Sequence, residues 1–120
     1  MNEMVSQIVT FLHEKKAQDI AALDVEGMTV ITDCMVIATG RSMLQVKTMA
    51  DQLEDHMTQL GTNPRRKEGN QEGRWVILDY GTVLVHLFHT EERAFYNLEK
   101  LWDSGTNRLP MPFVDDGDEI

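Results

Sequence analysis

The feature that most constrains this chain is an almost unbroken apolar run at 75–102, WVILDYGTVLVHLFHTEERAFYNLEKLW. Two stretches in it, 75–80 and 83–89, are rich in aromatic and β-branched residues and have the length of strands. Gly81 and Thr82 separate them, and a glycine accepts the positive φ that a tight turn requires. We therefore predict a β-hairpin. Because both strands are so apolar, we expect them to lie centrally in a sheet with both faces largely covered.

The run continues into a predicted helix at 90–102. Thr90 fits an N-cap, and Glu91 and Glu92 fit a first turn, where the helix dipole favours carboxylates. Apolar residues at helical spacing predict one stripe that faces the sheet: Ala94, Phe95, Leu98, Leu101 and Trp102. The whole run carries almost no recognisable catalytic chemistry, which already favours a surface for a partner over a site for a substrate.

The other elements are predicted from the same periodicities. An N-terminal helix is indicated by apolar residues at i, i+3, i+4 and i+7: Val5, Ile8, Val9 and Leu12. Strands are predicted at 19–25, 35–39 and 64–68, and the basic residues of the last suit a sheet edge. A second long helix should start at Ser42, with Gln45 completing a capping-box pattern, and stop at Gly61. Its predicted buried stripe is Val46, Met49, Ala50, Leu53, Met57 and Leu60.

The element order helix, two strands, helix, three strands, helix predicts an α/β fold, with one mixed β-sheet of about five strands flanked by helices. A chain of 120 residues is predicted to form one domain that can bury a core without disulfide bonds or a structural metal ion. We place this domain at 1–103 and predict that 104–120, rich in glycine, proline and acidic residues, is an extended acidic tail that frays.

Net charge and composition limit the kinds of partner that this chain can bind. The formal net charge is −9, and without the acidic residues at 115–119 the rest still carries 16 acidic and 11 basic residues. Phosphate backbones repel such a surface, so we expect no direct nucleic-acid recognition and favour a basic protein. No signal segment or apolar block of about 18 residues is present, so we expect a cytoplasmic protein without membrane contact.

The turn Gly40-Arg41-Ser42 joins a strand to a helix and could hold a phosphate at the helix N-terminus. It resembles the turn that opens the nucleotidyltransferase fold, where two close carboxylates must then clamp Mg²⁺. Here the first acid is Asp51, far down the helix, and Asp79 alone cannot replace the pair. We therefore predict a nucleotidyltransferase-like fold without catalytic residues, while a vestigial nucleotide-binding or transferase activity at this turn stays open as an alternative.

The histidines and the single cysteine suggest no metal, cofactor or nucleophile. His86 and His89 lie three residues apart on a strand, so their side chains point to opposite faces and cannot share one metal ion. We interpret His86 as a hydrogen-bonded sheet histidine. Cys34 lies beside a methionine in an apolar strand and is predicted to be a core residue.

A set of acidic and aromatic residues concentrates at the hairpin and the following helix: Trp75, Asp79, Tyr80, Glu91, Glu92, Arg93 and Tyr96. They fit either core aromatics beside a solvated helix turn, or aromatic anchors with an acidic rim for a basic partner. The pattern alone favours neither reading.

These residues also carry a family resemblance. The segment LDYGTVLVHLFHTEERAFYNLEKLW resembles the C-terminal half of the Iojap-like ribosomal silencing factor family. The stretch TDCMVIATGRSMLQVKTMAD resembles its strand-to-helix segment, and Glu68-Gly69 also fits. The resemblance covers about 19–102. Cys34-Met35 departs from it, since Tyr-Phe is usual there, as does Thr82, and the tail after Pro112 lies outside it.

The resemblance implies a translational repressor that is not an enzyme. Such proteins bind ribosomal protein fourteen of the large ribosomal subunit and sterically block association with the small subunit, especially under nutrient limitation, and they are reported to dimerise when free. From it and the local pattern we predict six partner-binding residues: Trp75, Leu78, Asp79, Tyr80, His86 and Arg93. Trp75 and Leu78 cannot share a face of a regular strand, so one of them should be core. A self-association module that exposes the hairpin stays open as the second alternative.

Overall fold

The computed structural model describes residues 2–69 and 72–113. The elements are α1 (Glu3–Glu14), β1 (Gln18–Asp24), β2 (Cys34–Gly40), α2 (Met43–Gln59), β3 (Arg66–Gly69), β4 (Trp75–Asp79), β5 (Val83–His89), α3 (Thr90–Tyr96) and α4 (Leu98–Trp102). Five strands form one sheet in the order β1-β2-β5-β4-β3. β2 and β5 run parallel and the other neighbours antiparallel, which confirms the α/β fold with a mixed five-stranded sheet.

Helices α1 and α2 cover one face of the sheet and form the main core with it. The predicted stripe of α1 is buried, as is that of α2 from Val46 to Met57. The prediction was wrong for Leu60, which is half-exposed because the helix ends at Gln59 and Leu60 is its C-cap. Gly61 follows with a φ of +94°, so the predicted stop is confirmed. Within 2–69 and 72–113, no helix combines the length and the apolar character needed to cross a membrane.

The last helix is broken, where the periodicity predicted it to be continuous. Asn97 has φ 46° and ψ 57°, a left-handed conformation that ends α3 and starts α4. Thr90 is not the N-cap: His89 holds that position, and the Thr90 hydroxyl donates to the carbonyl of Gly40 at 3.5 Å. Since the break changes the helical phase, Leu98 and Trp102 pack inward while Phe95 and Leu101 are exposed.

The two short helices cover only part of the second face of the sheet. Their cluster centres on β1, β2 and one end of β5, and its buried members are Leu23, Val25, Met35, Ile37 and Phe88. Strand β5 is buried over most of its length, as predicted. Strand β4 instead alternates, with Val76 and Leu78 buried and Trp75, Ile77 and Asp79 partly exposed. The expectation that both faces of β4 are covered was therefore wrong.

The segment 104–113 is hydrogen-bonded to β1, unlike the fraying expected of it. Leu109 donates its backbone N–H to Ala22 at 2.8 Å, and Arg108 forms a β-bridge with Leu23. The Phe113 ring stacks on His13 of α1 at a centroid distance of 4.0 Å. The acidic residues of the predicted tail, at 115–119, lie outside the described residues, and the domain boundary at 103 stays a prediction.

Candidate functional site

The half of the second sheet face that α3 and α4 leave uncovered is the candidate site. We call it the open face and define it by six residues: Arg66 and Glu68 on β3, Trp75, Ile77 and Asp79 on β4, and Leu84 on β5. Register places Glu68 beside Ile77, and Arg66 beside Asp79, while Asp79 also pairs with Leu84. Because side chains alternate along strands, all six project from the same side of the sheet.

Trp75 anchors an aromatic cluster at one end of the open face. Its ring lies 4.8 Å from Phe88 and 4.6 Å from Tyr96, measured between centroids. Its indole N–H donates to Nδ1 of His86 at 3.1 Å. The interpretation of His86 as a hydrogen-bonded sheet histidine is confirmed, and its role is to fix the Trp75 ring.

The protonation of His86 is set by this bond and by burial. Because Nδ1 accepts the hydrogen bond from the indole N–H, the neutral imidazole carries its own proton on Nε2. That atom is buried and has no hydrogen-bond partner among the residues described. Burial lowers the pKa of His86 from 6.5 to about 4, since a buried imidazolium loses its hydration.

This pKa predicts acid sensitivity. Below pH 6.5 the unfolded chain binds a proton at His86 that the folded protein does not, so the free energy of unfolding falls as the pH drops from 6.5 towards about 4. The loss reaches up to about 3 kcal/mol, at ~1.4 kcal/mol per pH unit. Urea denaturation across this range should show it. His86→Gln, which cannot titrate but retains an acceptor for Trp75, should have a shallower pH dependence. Parallel curves for the two proteins would contradict the assignment.

Two of the predicted residues lie on the other face and are core. Leu78 is fully buried against α2, so Trp75 is the partly exposed member of that pair, as the alternation requires. Tyr80 is buried, and burial raises the pKa of its hydroxyl to about 12. Neither side chain is available to a partner in this conformation.

Asp79 lies on the open face but has a structural task. One carboxylate oxygen accepts the Gly81 N–H at 2.8 Å and shapes the hairpin turn, where Gly81 has the predicted positive φ. The other oxygen lies 3.3 Å from Arg66. Charge reversal at Asp79 would therefore disturb the turn as well as the surface.

Arg93 is a clamp between elements and not part of the open face. Its guanidinium binds Glu99 of α4 through two bonds, of 3.0 and 3.2 Å, donates to Thr39 of β2 at 2.8 Å, and donates to the carbonyl of Asp19 in β1. The hydrogen bond from Arg93 lowers the pKa of Glu99. Of the six predicted residues, Trp75 and Asp79 lie on the open face, Leu78 and Tyr80 are core, and Arg93 forms this clamp. His86 is buried and hydrogen-bonded to Trp75.

At the turn Gly40-Arg41-Ser42, two backbone donors are already bonded to local side chains. Ser42 Oγ accepts the Gln45 N–H at 3.0 Å, which confirms the cap, and Gln45 Oε1 accepts the Arg41 N–H at 2.7 Å. A phosphate would have to displace these bonds. Cys34 is buried, and burial raises the pKa of its thiol to about 11, as expected of a core cysteine.

Sequence reasoning missed Ile77, Leu84 and Glu68. A strict period of two over 75–79 would have grouped Ile77 with Trp75 and Asp79, but the strand was interpreted as buried on both sides. Sequence reasoning also missed that His89, Glu91 and Glu92 lie together. Their possible metal-ligand atoms are within 4.8 Å of one another. Glu92 is already ion-paired with Arg74 at 3.1 Å.

Comparison with known proteins gives a consistent result. The family model "Ribosomal silencing factor during starvation" matches residues 1–119, so the similarity extends beyond Pro112. A Bacillus subtilis protein named Ribosomal silencing factor RsfS is 45% identical over 89 residues, 74% of this chain and 75% of its own length.

Two crystal structures share the fold. One, of a protein from Chromobacterium violaceum, has a TM-score of 0.81 at 30% identity and covers 95% of each chain. The other, from Bacillus halodurans, has a TM-score of 0.79 at 37% identity and covers 91% of this chain and 98% of its own.

Proposed function

Because this chain belongs to the ribosomal silencing factor family, which supports a silencing role at the ribosome, we propose that it represses translation by binding the large ribosomal subunit through ribosomal protein fourteen. Bound there, it sterically blocks association with the small subunit, especially under nutrient limitation. We place this activity in the cytoplasm, where the subunits join. It involves no catalysis, because occupying an intersubunit surface is sufficient.

The observation that supports this proposal most is the open face itself. Trp75, Ile77 and Leu84 are only partly buried on this face, and the exposed ring of Phe95 contacts Tyr96, which packs on Trp75. Partly exposed apolar and aromatic residues inside a polar rim are typical of protein interfaces. We therefore assign the open face, extended by Tyr96, as the surface that contacts ribosomal protein fourteen.

Charge supports a protein partner over ribosomal RNA. The formal net charge of −9 repels phosphates and attracts a basic protein. Long-range attraction of this kind accelerates encounter and weakens as salt screens it. Binding to large subunits should therefore weaken with rising salt, but less steeply than for a protein that releases counterions from RNA.

Order of addition tests the steric mechanism. Purified large and small subunits are mixed with the protein added before or after mixing, and the complexes are separated by sedimentation. We expect protein added first to remain with the large subunits and to prevent joining, because its surface is then occupied. Protein added to joined subunits should have much less effect. Normal joining in the presence of bound protein would contradict the proposal.

We propose that the free protein self-associates through the same surface and forms a homodimer in the absence of ribosomes. A second copy that covers the open face would compete with the ribosome. Mass in solution, measured with and without large subunits, distinguishes the cases: a shared surface predicts that a dimer dissociates as subunits are added.

A further inference from the structure

A groove of about 300 Å³ lies where the open face meets α3. Trp75, Ile77 and Tyr96 supply its apolar lining, Glu68 and Glu92 supply carboxylates, and Arg74 also lines it. Pockets for drug-sized ligands span about 300–1,000 Å³, so this groove is at the small end. Its size suits one side chain of a partner better than a nucleotide.

The carboxylates of the groove differ in availability. Glu92 is largely covered and bonded to Arg74 at 3.1 Å, and Arg74 also binds Glu72 at 2.9 Å. The positive charge of Arg74 is therefore already compensated. Glu68 is 57% exposed, and its carboxylate lies 3.5 Å from the largely exposed guanidinium of Arg66. Such exposed pairs contribute ~0–1 kcal/mol, so Glu68 is the acceptor that an incoming cation can use.

The aromatic side of the groove is also accessible. Tyr96 is about half-exposed. Its ring is held from two sides, by Trp75 at 4.6 Å and edge-on by Phe95 at 5.1 Å. A ring fixed in this way presents its π-surface without a large loss of side-chain entropy on binding.

We propose that this groove accepts a single arginine side chain of the partner protein, an inference that rests on the proposed function. The guanidinium stacks on Tyr96 and donates to the carboxylate of Glu68. Arginine fits better than lysine because its planar group combines stacking with paired hydrogen bonds. An acidic or phosphorylated side chain is disfavoured by the carboxylate of Glu68, since that of Glu92 is already paired with Arg74.

The first test uses binding to purified large subunits. Glu68→Gln removes the charge but keeps the shape, and we expect it to weaken binding about 10-fold, the equivalent of ~1.4 kcal/mol. Glu14→Gln is the matched control, because Glu14 is exposed on α1 at the opposite face and the change in net charge is the same. Tyr96→Leu should also weaken binding, by about 5-fold. Equal affinities for Glu68→Gln and Glu14→Gln would overturn the inference.

A second test does not need the ribosome. Acetyl-arginine amide, titrated into this 120-residue chain, should shift the NMR signals of the Tyr96 ring and of the Glu68 backbone amide. Acetyl-lysine amide should shift them less, and Glu68→Gln should reduce the arginine response. If subunits bind but arginine amide causes no shift, the groove assignment fails and the proposed function stands. If arginine amide binds but subunits do not, the proposed function fails instead.

Discussion

Replacing Arg93 by alanine should lower the free energy of unfolding by about 3 kcal/mol, as expected for removing one partner of a largely buried ion pair. Only 12% of the Arg93 side chain is exposed, and its loss leaves the Glu99 carboxylate, itself 24% exposed, without its paired bond. The Thr39 hydroxyl and the Asp19 carbonyl lose a donor as well. Urea denaturation at neutral pH measures the effect.

Arg108→Ala is the matched control. Arg108 binds the same Glu99 at 3.2 Å, but its side chain is 53% exposed, so we expect a loss below ~1 kcal/mol. If the two variants were equally stable, the Arg93 clamp would not be the main link. Arg93→Lys should fall between them, because lysine keeps the charge but lacks the two-pronged geometry.

The clamp also has a pH signature. The pKa of Glu99 is lowered in the folded protein, first by its hydrogen bond to Arg93. Its contribution to stability is therefore present above the unfolded pKa of a glutamate and is lost as the pH falls through the lowered value. The difference in stability between the wild type and Arg93→Ala should shrink in that acidic range.

Ile77 and Leu78 give the second large contrast, because they are sequence neighbours that point to opposite faces. Leu78 is fully buried against α2, so Leu78→Ala should cost about 2–5 kcal/mol of stability by leaving a cavity. Measured well below its melting temperature, its affinity for large subunits should be unchanged. Ile77→Ala should cost much less stability but weaken subunit binding by about 10-fold, since Ile77 lies in the centre of the open face.

The pair separates a folding role from a binding role on one strand. Binding affinities must be compared at equal concentrations of folded protein, which circular dichroism and thermal melts can establish. A loss of affinity in Leu78→Ala that exceeds the loss in Ile77→Ala would exclude the open face as the binding surface.

Much of the fold was predictable because its signals are local. The stripe of α1, the Ser42 cap, the Gly61 stop and the Gly81 turn each depend on a few neighbouring residues, and all are confirmed. The broken helix was not predictable from apolar spacing, because apolar residues keep helical spacing in the sequence on both sides of Asn97, and that spacing does not signal its left-handed conformation. The candidate site was half-predicted: Trp75 and Asp79 lie on the open face, whereas Leu78 and Tyr80 are core.

The family, the mixed α/β fold and the acidic character were decided by the sequence alone, because motif order, hydrophobic periodicity and charge are properties of the chain itself. Only the tertiary structure decided which side chains are available to a partner. Availability depends on what covers each face. Helix α3 contacts β4 at Trp75, through Tyr96, while Ile77 is partly exposed and Glu68 is accessible. Arg93 instead is enclosed by β1, β2 and α4. The run at 75–102 contains core, clamp and surface residues in close alternation, and the local pattern does not say which of its faces is covered.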